Sequence, residues 1–211
     1  MSDVDVVIDL MKQWNILADH TKKGGTVRPK TTFDGPANRN YQLKNKRPIK
    51  FLQYEKQTTG INLGWTDDAS APTAKRVQRW FFRRDGDNET PIRYGELVAM
   101  GYGTKPSWLC YETRTFGINL RYKDNPCYQW KLLGGTPGQP VQVDQWLAIY
   151  NTKINECLIY FKREGQGSAW IGWPSSKTWA DQAKDKLGDL ADKALEKAIE
   201  GAVKALLGGG G

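Results

Sequence analysis

The chain has 211 residues, of which 39% are hydrophobic and 26% charged, and its formal net charge is +8. No run approaches the roughly 20 apolar residues that a membrane-spanning helix needs, which excludes a conventional helical membrane protein. Nine Trp, nine Tyr and six Phe supply flat side chains. Such side chains suit either a β core or stacking on sugars, bases and lipid headgroups.

The charge is concentrated in the middle of the chain. Residues 1–20 carry four Asp and one Lys, residues 177–211 carry six Lys and six acids, and residues 21–176 therefore carry +11. A central segment of this charge would attract an anionic surface such as an acidic glycan, an anionic lipid or a nucleic acid.

The N-terminus and the cysteines both bear on localisation. The first 20 residues lack a basic start and a small-residue cleavage site, and so are not typical of a secretory signal. Three cysteines, an odd number without metal-ligand spacing, predict free thiols rather than a disulfide framework. We expect synthesis in a reducing cytoplasm, with any release by a non-classical route.

The first predicted element is an amphipathic helix within residues 1–20, followed by a linker over residues 21–37. Ser2 or Asp3 can cap this helix. Its apolar residues recur at helical spacing, and they are Val7, Leu10, Met11, Trp14, Leu17 and Ala18.

Residues 38–174 change to short apolar runs broken by Gly, Pro, Asp and Asn, which predicts an all-β region. An internal repeat lies within it. Phe51 to Trp65 aligns without gaps to Trp108 to Tyr122, and a third copy runs from Cys157 to Trp173 with two inserted residues. Each unit is predicted to contain about four strands.

Three four-stranded units of this length resemble the β-trefoil, in which six strands close a barrel and six cap one end. Gln78-Arg79-Trp80 is similar to the Gln-x-Trp signature of ricin-type β-trefoil lectins. The second unit has Tyr128 in place of the Gln, and the third offers only Trp179 as its fourth-strand Trp. The resemblance implies a mainly β fold, a β-trefoil of three pseudo-symmetric units, and a lectin-like role.

Residues that break the repeat are the candidates for ligand binding. Aromatic and leucine positions that recur, including Tyr54 and Tyr111, are expected in the core. Two loops put an aromatic ring beside side-chain acceptors, as a sugar requires, although turn chemistry alone also favours Asp and Asn there. The candidates are Trp65, Asp67, Asp68, Tyr122, Asp124 and Asn125.

Ten cations lie in the segment from Lys44 to Arg84. They are either a solvated face or a site for an anionic surface. The candidate residues for that surface are Lys50, Arg76, Arg79, Arg83 and Arg84. We do not expect a nucleic-acid partner, because no recognised binding motif is present.

The sequence contains no catalytic constellation. His20 is the only histidine, no Cys or His pair has zinc-ligand spacing, and the glycines of residues 134–140 lack the Lys of a phosphate loop. We therefore expect a non-enzymatic protein without a metal or cofactor.

The C-terminal segment, residues 175–211, repeats with a period of 11, which keeps an apolar stripe nearly straight along a helix. This pattern resembles the lipid-surface helices of exchangeable apolipoproteins and synucleins. Lipid, a sister chain or the β domain itself could cover the stripe. Its large residues are Leu187, Leu190, Leu195, Ile199, Val203 and Leu206.

Together these patterns predict a recognition protein that binds glycans or anionic membrane surfaces and inserts or assembles through its C-terminal helix. The resemblance to β-trefoil domains implies a cytolysin-like or toxin-like role. One alternative is an assembly protein whose terminal helices form homo-oligomers and display the β domain. A third is a soluble inhibitor or a nucleic-acid-binding trefoil.

Overall fold

The computed structural model describes most of the chain, and every structural statement below concerns that part. It comprises residues 2–18, 25–30, 39–47, 49–57, 61–67, 79–86, 88–103, 107–115, 118–160, 170–176, 180–181, 183–184 and 192–208.

The fold is mainly β, as predicted, with one helix near each end. The elements are α1 (Asp3–Met11), β1 (Trp14–Leu17), β2 (Gln42–Asn45), β3 (Phe51–Gln53), β4 (Gly64–Thr66), β5 (Trp80–Arg84), β6 (Val98–Tyr102), β7 (Trp108–Tyr111), β8 (Leu120–Lys123), β9 (Trp130–Leu133), β10 (Trp146–Asn151), β11 (Glu156–Tyr160), β12 (Ile171–Gly172) and α2 (Asp192–Leu206). Within the described residues, neither helix has the length and apolar character needed to cross a bilayer.

Helix α1 is shorter than the predicted one. It begins with a capping box, in which Asp5 N–H donates to Ser2 Oγ and the Asp5 carboxylate accepts from Ser2 N–H. It ends at Met11, and the next apolar residues form β1. The prediction of helix at Trp14 and Leu17 was wrong because both residues pair with β2, and Trp14 pairs with β10 as well.

Six strands form a curled antiparallel ring. Strand β1 pairs with β2 and β10, β5 and β9 both pair with β6, and β9 also pairs with β10. Tyr41, just before β2, completes the ring through two backbone hydrogen bonds with Trp80. Outside this ring, β3 pairs with β2, β7 with β6 and β11 with β10. Each of these strands also pairs with a second outer strand, β3 with β4, β7 with β8 and β11 with β12.

Three fully buried tryptophans fill the centre of the main core, and each donates its indole N–H to a backbone carbonyl. Trp80 donates to Leu52 (2.8 Å), Trp130 to Leu109 (2.7 Å) and Trp14 to Leu158 (2.6 Å). The acceptors begin the Leu-x-Tyr pattern in the three copies of the repeat. Trp179 lies outside the described residues, and Trp14 makes the contact in the third copy.

A second core lies between the outer face of the sheet and both helices. Helix α2 packs its stripe on α1, and α1 in turn contacts β11, so the buried residues of both helices share one cluster with residues of β10 and β11. The buried members of this stripe are Leu195, Ala198, Ala202 and Leu206.

The cysteines differ from the prediction of free thiols. Cys110 and Cys127 form a disulfide, so that prediction was wrong for these two residues. Cys157 is a free thiol, and its complete burial raises its pKa to about 12. A disulfide between residues 17 apart depends on the distance that the fold imposes, which residue spacing does not reveal.

Candidate functional site

A cleft of about 620 Å³ lies beside the first hairpin, within the size range of small-molecule sites. Strand β3 and the residues after it form one wall, β4 and β6 contribute aromatic rings, and Arg79 precedes β5. The lining residues are Gln53, Tyr54, Glu55, Lys56, Trp65, Arg79 and Tyr102.

The aromatic rings of the cleft are supported by the core. Tyr54 stacks on Tyr102 with ring centroids 5.9 Å apart, and Tyr102 packs edge-on against the buried Trp80. Asn62 Nδ2 donates to the Tyr54 hydroxyl (2.8 Å), which further orients the ring. Tyr54 is nevertheless 43% exposed, so the expectation that it lies in the core was wrong. The cleft therefore presents a rigid ring to solvent.

Trp65 is held in the same way from behind. It stacks on Trp14 at 5.9 Å and meets Tyr160 edge-on at 5.6 Å. Because Trp14 is fully buried, the Trp65 ring is fixed relative to the main core.

Two side chains of the cleft, Gln53 and the exposed Glu55, carry hydrogen-bond acceptors. Within the described residues, Glu55 forms no hydrogen bond or ion pair, and the buried Gln53 Oε1 has no hydrogen-bond partner. A Cβ atom at Gly64 would collide with the Glu55 carboxylate, so glycine is what lets the carboxylate lie against β4. The site can thus accept hydrogen bonds from hydroxyl groups.

The equivalent carboxylate in the second copy of the repeat is occupied. Glu112 pairs with Arg121 (2.6 Å) and Lys123 (2.6 Å). The hydrogen bond from Lys123, followed by that from Arg121, holds the Glu112 pKa below its usual value. In the first copy, Gly64 and Thr66 stand where the second has these two cations. Of these two copies, the first alone leaves its glutamate without a cationic partner among the described residues.

The structure brings together two of the six predicted sugar-binding residues. Trp65 lines the cleft, and the Tyr122 ring packs against Tyr54 at 6.1 Å. Burial raises the Tyr122 pKa well above its usual value, and its hydroxyl has no hydrogen-bond partner in the described part of the chain.

Of the other four predicted sugar-binding residues, the three that the structure describes do not line the cleft. Asp67 pairs with Lys50 (3.1 Å). Asp124 and Asn125 are exposed beyond β8, and Asp68 lies outside the described residues.

Sequence reasoning did not identify Tyr54, Glu55, Gln53 or Tyr102 as site residues. A signal was available, because the aligned pair Glu55 and Glu112 differs in its cross-strand neighbours, Gly-Trp against Arg-Tyr. Reading that signal required the folded structure, in which Gly64 lies against the Glu55 carboxylate and Arg121 pairs with Glu112.

Two of the five residues predicted for the cationic face, Lys50 and Arg84, are engaged in ion pairs. Arg84 pairs with Glu96 at 2.8 Å and its side chain is only 13% exposed, so its role is structural. Lys50 is paired with Asp67. Arg79 lines the cleft, and Arg83 is partly buried.

Two neighbouring cations, Lys46 and Arg47, both pair with Asp9 of α1. Arg76 lies outside the described residues. Exposed pairs of this kind reduce the positive potential that an anionic surface would meet.

The large apolar residues of the C-terminal helix are buried to different extents. Leu195 and Leu206 are buried against the chain itself, whereas Ile199 and Val203 are partly buried and line an apolar groove with Leu207. Leu187 and Leu190 lie outside the described residues. The sequence left lipid, a sister chain or the β domain as possible partners of this helix. In the structure, Leu195 and Leu206 are buried in the cluster formed with α1 and the sheet.

Within the described residues, no three His, Cys, Asp or Glu side chains cluster in a way that could hold a metal ion. Comparison of the chain with models of known protein families gives no match, and comparison with characterised proteins gives none either.

Proposed function

We propose that this chain is a non-enzymatic glycan-binding protein on a β-trefoil scaffold, and that its binding site is the cleft at Tyr54 and Glu55. The observation that carries the proposal is the exposed Tyr54 ring, which packs on Tyr102, next to a carboxylate that has no partner in the described part of the chain. A sugar ring stacks its C–H face on an aromatic side chain and donates its hydroxyl hydrogens to carboxylate or amide oxygens.

The scaffold proposal is supported by contacts that recur in the three copies. One set consists of the hydrogen bonds that the buried indole N–H groups of Trp14, Trp80 and Trp130 donate to leucine carbonyls. A second set joins the Tyr of each Leu-x-Tyr pattern to an aromatic ring of another copy, in the pairs Tyr54 with Tyr122, Tyr111 with Trp173, and Tyr160 with Trp65. A threefold arrangement of this kind is what a β-trefoil would produce.

The unpaired acceptors favour a glycan over an anionic membrane as the ligand. Anion binding needs free cations, and several cations near the first unit are already bound to carboxylates. Insertion of α2 into lipid would also require Leu195 and Leu206 to leave their buried positions. Assembly through α2 would need only the groove at Ile199 and Val203.

The proposal is tested by titrating the protein with galactose, mannose and N-acetylglucosamine and by repeating the measurement on variants. Glu55→Gln is expected to weaken binding by roughly tenfold or more, because hydrogen bonds to a charged group contribute about 1.5–3 kcal/mol. Tyr54→Ala should have a comparable effect through lost stacking. Neither side chain is part of the core, so folding is expected to be retained.

Glu112→Gln is the matched control, because it makes the same change in the second copy at a carboxylate that is already paired. We expect it to leave the affinity unchanged. Equal losses for Glu55→Gln and Glu112→Gln, or no binding of any of the three sugars, would contradict the proposed site.

A further inference from the structure

Two buried amide side chains, Gln129 just before β9 and Asn151 at the end of β10, have donors without acceptors among the described residues. Gln129 and Asn151 are 4% and 0% exposed, and neither Gln129 Nε2 nor Asn151 Nδ2 has a hydrogen-bond partner within the described residues. Buried amide groups nearly always have a partner, and an exception calls for an explanation such as a bound water, an ion or a ligand group.

These amides occupy the positions that correspond to two residues of the cleft. Trp130 is paired with Asn151 across β9 and β10, as Trp80 is paired with Tyr102 across β5 and β6. Gln129 and Arg79 each stand immediately before that tryptophan. Tyr102 and Arg79 line the cleft, so Asn151 and Gln129 lie where the second copy would have its own cleft.

The rest of the second copy reproduces the first. Asn119 Oδ1 accepts from Arg114 N–H (2.9 Å) and Asn119 Nδ2 donates to the Tyr111 hydroxyl (3.5 Å). Asn62 does the same for Gln57 N–H (3.0 Å) and Tyr54 (2.8 Å). The two copies therefore hold their tyrosine and the following glutamate in the same local framework.

The two copies differ in whether cationic side chains contact the glutamate. Arg121 and Lys123 bind both oxygens of Glu112, whereas Gly64 and Thr66 leave Glu55 without a cation. The side chains of Arg121 and Lys123 are 64% and 46% exposed, so the pairs lie at the surface, where ion pairs are weak and can open.

We propose that the second copy contains a second glycan site, of the same hydroxyl-rich ligand class as the cleft, that is closed by the pairs of Glu112 with Arg121 and Lys123. Tyr111 supplies its ring, Glu112 its acceptor, and Gln129 and Asn151 the donors at its base. This inference rests on the proposed function of the cleft, because the ligand class is taken from there.

The test removes the two cations that pair with Glu112 and puts in their place the residues that the first copy has at the same positions. The variant Arg121→Gly/Lys123→Thr is titrated with galactose, mannose and N-acetylglucosamine, and the number of sugars bound per chain is measured by calorimetry and by NMR. We expect this number to rise from one to two. Glycine weakens a strand interior, so Arg121→Ala/Lys123→Thr is measured alongside.

Two added substitutions assign the new binding event. Glu55→Gln in the opened variant should weaken the first site and leave the second. Gln129→Met, of similar size, should remove the second site and leave the first. If Gln129 is only a core residue, Gln129→Met will leave both binding events unchanged, which would overturn its assignment to the site.

The possible failures are distinguishable. A wild-type chain that binds one sugar, together with opened variants that still bind one, would overturn the second site and leave the proposed function intact. No binding by any of these proteins would overturn both. Binding by an opened variant alone would support the second site and contradict the cleft.

Discussion

At the scale of single residues, the three buried tryptophans tie distant parts of the chain together. A buried indole N–H must find an acceptor, and here each finds the carbonyl of a leucine in a neighbouring hairpin. In the case of Trp14 the bond spans 144 residues of sequence, to Leu158. A single side chain therefore joins the N-terminal strand to the last hairpin.

Trp14→Phe is expected to lower the free energy of unfolding by about 1–3 kcal/mol, because it leaves the Leu158 carbonyl unpaired in the core. Urea denaturation measures the loss. Trp80→Phe and Trp130→Phe remove the equivalent bonds and should give losses of the same order.

Trp146→Phe is the control for the tryptophan variants, because Trp146 is only partly buried. We expect it to change the stability by less than about 0.5 kcal/mol, as for most substitutions away from the core. A Trp14→Phe variant as stable as Trp146→Phe would mean that β1 contributes little to the core.

At the scale of elements, the small residues of α2 explain how it packs. Ala198 and Ala202 are buried, and a Cβ at Gly201 would lie 3.1 Å from a methyl group of Val4. Small side chains therefore let α2 approach α1 closely. The alanine-rich stripe, which the sequence left open to lipid, a sister chain or the β domain, is used here for contact between the two helices and the sheet.

Leu195→Ala tests how much this packing contributes. Leu195 is 2% exposed, and truncating a buried leucine typically costs about 2–5 kcal/mol of unfolding free energy. Thermal and urea unfolding measure the change. The adjacent, exposed Glu196 provides the control Glu196→Ala, which should be nearly neutral. Similar stability of the two variants would indicate that α2 detaches readily and would revive its role in binding lipid or a second chain.

At the scale of the whole molecule, the N-terminal strand closes the sheet. Strand β1 lies between β2 and β10, and the two ends of the chain meet where α1 packs on α2. Closing a sheet in this way leaves fewer edges exposed to pairing with other molecules.

Removal of residues 1–18 should expose the edges of β2 and β10 and remove Trp14 from the core. We expect the shortened chain to lose its cooperative unfolding transition and to aggregate, as judged by circular dichroism and size-exclusion chromatography. Removal of residues 1–2 is the control, because it takes away only the cap of α1, which is worth about 1 kcal/mol. A soluble, cooperatively folding chain without residues 1–18 would contradict the role assigned to β1.

The sequence by itself was sufficient for the features that depend on local pattern. The internal repeat predicted β structure from Phe51 to Trp65 and from Trp108 to Tyr122, where β3, β4, β7 and β8 are found. The 11-residue period predicted the C-terminal helix. Both signals lie within short stretches of chain, so their periodicity can be read without knowing what they contact.

The tertiary structure alone decided which residues meet across the chain. Trp14 lies in a strand because β2 and β10 provide its partners, Cys110 reaches Cys127, and Glu55 differs from Glu112 because of the residue across the hairpin. Each of these arrangements is stabilised by contacts between groups that lie far apart in the sequence or on different strands. A periodicity records which face of an element is apolar, and it carries no information about what that face or a neighbouring charge will find in the folded chain.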